Sequence, residues 1–174
     1  MKRTFFSLAL LLAVATLTAQ TKMTAREAAV KIADRILAST TYEFKNTKTG
    51  EIYKSVKKLP LDMDVKVACK YNNWHYTNGV TNMALMELGD KLGDKKYEKY
   101  VLKNMNFVFN EGNLDFFRKQ YDEAFKRDGW NAVRKLSWHM IFRGKRLDDN
   151  GPMGASLIEL QLKYPNDSFL GYIN

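Results

Sequence analysis

Leu147-Asp148-Asp149-Asn150-Gly151-Pro152 sets two adjacent carboxylates before an Asn-Gly pair and an apolar helix-like run, and His75-Tyr76-Thr77-Asn78-Gly79-Val80 echoes it 72 positions earlier. Held at that offset, residues 78–101 and 150–173 align without a gap, with 7 identities in 24 positions. The identities are Asn78/Asn150, Gly79/Gly151, Leu85/Leu157, Glu87/Glu159, Leu88/Leu160, Lys91/Lys163 and Tyr100/Tyr172. Leucine and glutamate are cheap matches between amphipathic helices. The unbroken spacing of the Asn-Gly, the Glu-Leu and the late aromatics through two successive helices nevertheless favours a repeated αα-hairpin. The fold expected is therefore all-α, built from hairpin repeats that stack as a solenoid or curl into a toroid.

Around these copies the chain reads as helices with one extended interlude. Thr24-Ala25-Arg26-Glu27 is a capping box, and Ala29, Ile32, Ala33, Ile36 and Leu37 follow at helical spacing, predicting a helix over about 25–38. From Tyr42 to Tyr71 the pattern changes. Asn46 to Gly50 reads as a turn between Tyr42/Phe44 and Ile52/Tyr53, and Pro60 with the alternating Val65-Lys66-Val67 argues for extended chain. Asn78-Gly79 is expected to open the next helix, Gly93-Asp94 to break it with Asp94 as N-cap, and a third helix to run over about 95–109. Residues 113–145 have no partner in the repeat and read as an insertion: a helix to Arg127, a break at Asp128-Gly129, then an aromatic segment. The second copy's helix is expected from Gly151, ending at Tyr164-Pro165-Asn166.

The 174 residues, 45% hydrophobic and 27% charged, fit one globular domain. Residues 1–19 have the layout of a secretory signal peptide, Lys2 and Arg3 before an apolar run and small residues, with cleavage after Ala15 or Ala19. The run is too short for a membrane span, so a mature chain over residues 20–174, exported to the periplasm or medium, is expected. Without Lys2 and Arg3, 26 basic residues face 19 acidic ones. Their scatter reads as solvated surface, and export argues against nucleic acid as a partner. Cys69 is the one cysteine, so no internal disulfide forms, and it reads as packing. Two histidines without H-x-x-H or H-E-x-x-H spacing give no metal site, and no cofactor motif is present.

In a repeat array the residues before each Asn-Gly converge at one end: Trp74, His75 and Tyr76 from one copy, Asp148 and Asp149 from the other. Carboxylates and anionic ligands are stabilised at helix N-termini, and aromatic faces beside carboxylates suit sugar rings. An Asp in front of a helix is most often an N-cap. Two in a row are redundant for capping, which leaves one for other work. Carboxylates so close are expected to titrate together, one of them with a raised pKa.

Tyr71-Asn72-Asn73-Trp74-His75-Tyr76-Thr77-Asn78-Gly79-Val80, with Leu147 to Pro152 later, resembles the N-terminal part of the unsaturated rhamnogalacturonyl hydrolases, glycoside hydrolase family 105, relatives of family 88. The most specific pieces are W-H-Y-x-N-G-V and L-D-x-x-x-P, and the resemblance covers about 23–174 apart from the insertion. It implies an (α/α)6 toroid acting on pectin-derived oligosaccharides that bear a 4,5-unsaturated uronate. It also implies chemistry unlike the two-carboxylate displacement of ordinary glycosidases: an Asp protonates the double bond, water adds at C5, and the hemiketal collapses to release the sugar. By resemblance Asp148 matches an active-site Asp, and Trp74 and Tyr76 line the sugar pocket; His75, Asn78 and Asp149 complete the expected substrate-binding set, with Asp149 sharing the work of Asp148 or capping the helix. The family's main acid/base Asp lies in a later W-x-D segment, so the chain is expected to be the N-terminal portion of a longer enzyme and inactive alone. Alternatives are an α-toroid uronate lyase or sugar epimerase, or a carbohydrate-binding helical-repeat protein without catalysis.

Overall fold

The computed structural model describes residues 23–110, 112–144 and 147–173, and of Asp149 the backbone only. The expected leader over residues 1–19 lies outside them. The described chain is mostly helical. Seven α-helices run in order: α1 (Ala25–Ser39), α2 (Tyr76–Leu92), α3 (Lys96–Phe109), α4 (Asn113–Val133), α5 (His139–Arg143), α6 (Leu147–Lys163) and α7 (Asp167–Ile173). Between α1 and α2 lie three short strands, β1 (Phe44–Asn46), β2 (Ile52–Tyr53) and β3 (Val65–Val67), and two 3-10 turns. None of the described helices is long and apolar enough to cross a membrane.

The chain divides into two compact units, Met1–Ile32 and Ala33–Asn174, with the boundary inside α1. In the first, the capping box is formed as its sequence dictates. Thr24 N donates to Glu27 Oε2 at 2.8 Å, and Glu27 N donates to Thr24 Oγ1 at 3.2 Å, so two otherwise orphaned backbone donors are satisfied reciprocally.

The second unit holds the core. Trp74, Leu85, Met86, Tyr97, Val101, Met105, Phe117, Trp138, Leu157, Leu160 and Phe169 pack into one buried cluster. The small sheet has the order β2-β1-β3, antiparallel throughout, with Phe44 opposite Tyr53 on one side and Val67 on the other. Its period-two pattern turns Phe44 inward, where the ring stacks on Phe107 at 5.2 Å. The expected turn after it is built by Asn46, whose Oδ1 accepts from the backbone N–H groups of Lys48 and Thr49.

Helices α2 and α3 form a hairpin across three residues. Gly93 takes the left-handed conformation at φ 66° that ends α2, and Asp94 Oδ1 accepts from Lys96 N at 3.0 Å at the head of α3. Helices α6 and α7 are likewise separated by three residues. The expected break in the 113–145 segment is present as a kink in α4, where Asp128 and Gly129 leave helical geometry.

Two expectations about helix starts need correction. The Asn-Gly pairs do not open helices as turns. Helix α2 begins at Tyr76 and α6 at Leu147, so Asn78-Gly79 and Asn150-Gly151 both lie inside the helices. The reason is tertiary: α2 and α6 pack closely, and at Gly79 they meet backbone to backbone against Pro152 and Met153. Gly79 is glycine for close approach and not for turn geometry.

Candidate functional site

His75 caps α2 from extended backbone, φ −155° and ψ 146°, and its Nδ1 accepts from Thr77 N at 3.4 Å. The imidazole therefore does the work that Ser, Asp or Asn does at most helix starts, while its ring lies 4.7 Å from that of Tyr76. Tyr76, the first residue of α2, is 46% exposed. Asn78 is buried one turn further on, and its Nδ2 donates to the carbonyls of Lys70 at 2.8 Å and Asn73 at 2.7 Å. Both amide hydrogens of Asn78 thus tie the loop before the helix to the helix itself, and the positions of Trp74 and His75 follow from that tie.

Trp74 is 5% exposed and packs edge-on against Phe109, with ring centroids 5.8 Å apart. Its Nε1 donates to Asn150 Oδ1 at 2.8 Å, a bond that spans 76 positions. An indole N–H taken into the core needs such a partner. Trp74 and Asn150 line a cavity of about 250 Å³ together with Phe109, Ile141, Gly154, Leu157 and Tyr172. Three of its walls are aromatic, and Phe109 and Tyr172 lie 4.5 Å apart. Among the described residues its lining carries no charged side chain.

Asp148 is placed differently. It is exposed, the second residue of α6. At about 100° per residue it stands about 200° around the helix from Asn150, and it is not in the lining of the cavity. Its carboxylate sits where the helix N-terminus favours negative charge. Asp149 shares the same first turn. Trp74 and Asn150 are thus brought together from the two sequence segments, whereas Asp148 and Tyr76 face outward. Among the described residues no group of three His, Cys, Asp or Glu side chains assembles as a metal-ligand set.

Several residues of this site had no role in the sequence. Asn150 read as the residue just before a helix, yet its side chain is the acceptor for Trp74. Phe109, Ile141 and Tyr172 carried no motif; Tyr172 had only its match to Tyr100. Trp138 was part of an unassigned aromatic run. It is wholly buried with a left-handed backbone, φ 57°, which is rare for a bulky residue. Two bonds hold it there: Trp138 N donates to Asn73 Oδ1 at 3.2 Å, and Trp138 Nε1 to the Asn72 carbonyl at 2.7 Å. The insertion is in this way fastened to the loop that presents Trp74, His75 and Tyr76.

In comparison with known proteins, no family model matches the chain, and no curated protein matches it in sequence.

Proposed function

We propose that the chain belongs to an α/α-toroid glycoside hydrolase that acts on oligosaccharides carrying a 4,5-unsaturated uronate, by hydration of the double bond. The observation that carries this reading is the Trp74–Asn150 hydrogen bond, which joins the two segments of the 72-residue offset beside an aromatic-walled cavity. The hairpin repeat it needs is supported by helix lengths: α2 and α6 each span 17 residues, and each is followed by a three-residue connection and another helix. Aromatic walls suit the apolar C–H face of a sugar ring, and such pockets fix orientation with a few polar groups. In the reaction a proton goes to C4 and water oxygen to C5, and the hemiketal opens with release of the leaving sugar. Asp148, exposed at a helix N-terminus, would orient the unsaturated sugar or hydrogen-bond the catalytic acid.

Two observations favour a second reading, a carbohydrate-binding helical protein without chemistry: Asp148 stands in solvent, and among the described residues the cavity has no carboxylate in its lining. Incubating the complete gene product with an unsaturated galacturonyl disaccharide separates the two. Hydration removes the ultraviolet absorbance of the double bond, and the Asp148→Asn variant, still folded, loses most of that rate. Binding without any loss of absorbance sinks the hydrolase reading, and absorbance that grows points to a lyase.

A further inference from the structure

On the side of α3 that faces the start of the sheet lies a second concavity of about 290 Å³, lined by Tyr42, Lys54, Lys103, Asn106, Phe107 and Asn110. Four of these six residues are spaced i, i+3, i+4 and i+7, so one face of the last two turns of α3 and its C-cap supplies them as a unit. Tyr42 enters from just before β1 and Lys54 from just after β2.

Among the described residues the lining contains two ammonium groups and no carboxylate. That balance is set by side chains, because the C-terminal end of a helix contributes partial negative charge. Lys103 is already positioned: its Nζ lies 4.1 Å from the centroid of the Tyr42 ring, a cation–π contact that limits its freedom before any ligand arrives. The Tyr42 hydroxyl is committed to Asn104 Oδ1 at 2.9 Å, and its ring meets Phe107 edge-on at 5.4 Å, so the aromatic wall is fixed from behind. Asn106 Oδ1 is held by Asn110 Nδ2 at 3.1 Å and Asn166 Nδ2 at 3.3 Å, which orients the amide at the pocket wall.

We infer that this pocket binds a single sugar acid, its carboxylate between Lys54 and Lys103, its hydroxyls on the Asn106 and Asn110 amides and its ring against Phe107. The volume lies at the small end of ligand pockets, about 300–1,000 Å³, which suits one ring and not a chain. Lysine offers a point charge for the carboxylate, and amides both donate and accept toward hydroxyls. The site is distinct from the Trp74–Asn150 cavity and does not depend on Asp148 being catalytic.

The test is titration of the protein with galacturonate, galactose and inorganic phosphate, followed by calorimetry and by amide chemical shifts. Galacturonate is expected to bind at least tenfold more tightly than galactose, to shift the amides of residues 103–110, and to weaken as salt rises. Lys54→Gln and Lys103→Gln, both exposed positions, each weaken it by about tenfold, equal to about 1.4 kcal/mol, with an unchanged melting temperature. Equal affinity for galactose, phosphate binding that matches galacturonate, or unchanged affinity in both lysine variants overturns the inference. Asp148→Asn should bind galacturonate as the wild type does. Lost turnover alone therefore leaves this site standing, and lost galacturonate binding alone leaves the hydrolase reading standing.

Discussion

Gly79 of α2 lies so close to Pro152 of α6 that a Cβ atom on it would stand 2.4 Å from the proline carbonyl carbon and 2.5 Å from Met153 N. Those are backbone atoms, which cannot step aside as a flexible side chain does. Gly79→Ala should force the two helices apart and cost about 3 kcal/mol, the upper part of the overpacking range. Gly154→Ala is the counterpart, since a Cβ there meets nothing within 4 Å. It should stabilise α6 by about 0.5–1 kcal/mol. Urea denaturation of the two variants checks both signs, and a neutral Gly79→Ala would show that the helices do not meet as described.

The Trp74–Asn150 bond is measurable as a coupling. Trp74→Phe keeps an aromatic ring in the core and deletes the donor, while Asn150→Ala deletes the acceptor. Each should destabilise by about 1–2 kcal/mol. In a double-mutant cycle the pair should show a coupling of about 1 kcal/mol. Strict additivity would mean that the indole N–H gains nothing from Asn150.

Of the three tryptophans, Trp74 and Trp138 are buried and Trp130 is 48% exposed. Trp130 lies at the end of α4 beyond the kink, with the Arg143 guanidinium 4.7 Å from its ring centroid. Acrylamide should therefore quench only one tryptophan readily, and Trp130→Phe should remove the quenchable component. Quenching that persists in Trp130→Phe would contradict the burial of the other two.

Lys163, near the end of α6, donates to both carboxylate oxygens of Asp90 near the end of α2, at 2.9 and 2.7 Å. These bonds from the Lys163 ammonium hold the Asp90 carboxyl below its ordinary range. A depressed folded-state pKa stabilises the fold above the unfolded value, about 3.9, and the benefit is lost as pH falls through the folded value. Asp90→Asn should accordingly lower the melting temperature at neutral pH. The gap to wild type should stay constant down to about pH 4 and close only below it. A gap that closes near pH 6 instead would assign the effect to another group.

Local signals were legible and distant ones were not. The capping box at Thr24 and Glu27, the Asn46 turn and the break at Asp128-Gly129 involve neighbours within a few positions, so their residue types state their geometry. Asn78-Gly79 misled for the same reason. Taken locally it is the commonest turn pair, whereas its glycine answers to Pro152, 73 positions away. Asn150 is a comparable case, its side chain given a purpose by Trp74. The cavity walls at Phe109, Ile141 and Tyr172 come from three helices, and nothing in their own flanking sequence marks them as neighbours.

Trp138 is bonded to Asn72 and Asn73, and the next three residues are Trp74, His75 and Tyr76. Its backbone conformation survives only because those bonds and the surrounding rings enforce it. The tryptophan therefore works as a drawbar between the segment after α4 and the first residues of α2. Any load that moves α5 pulls on the mouth of the α2 hairpin within one or two peptide bonds, well before it reaches the rest of the core.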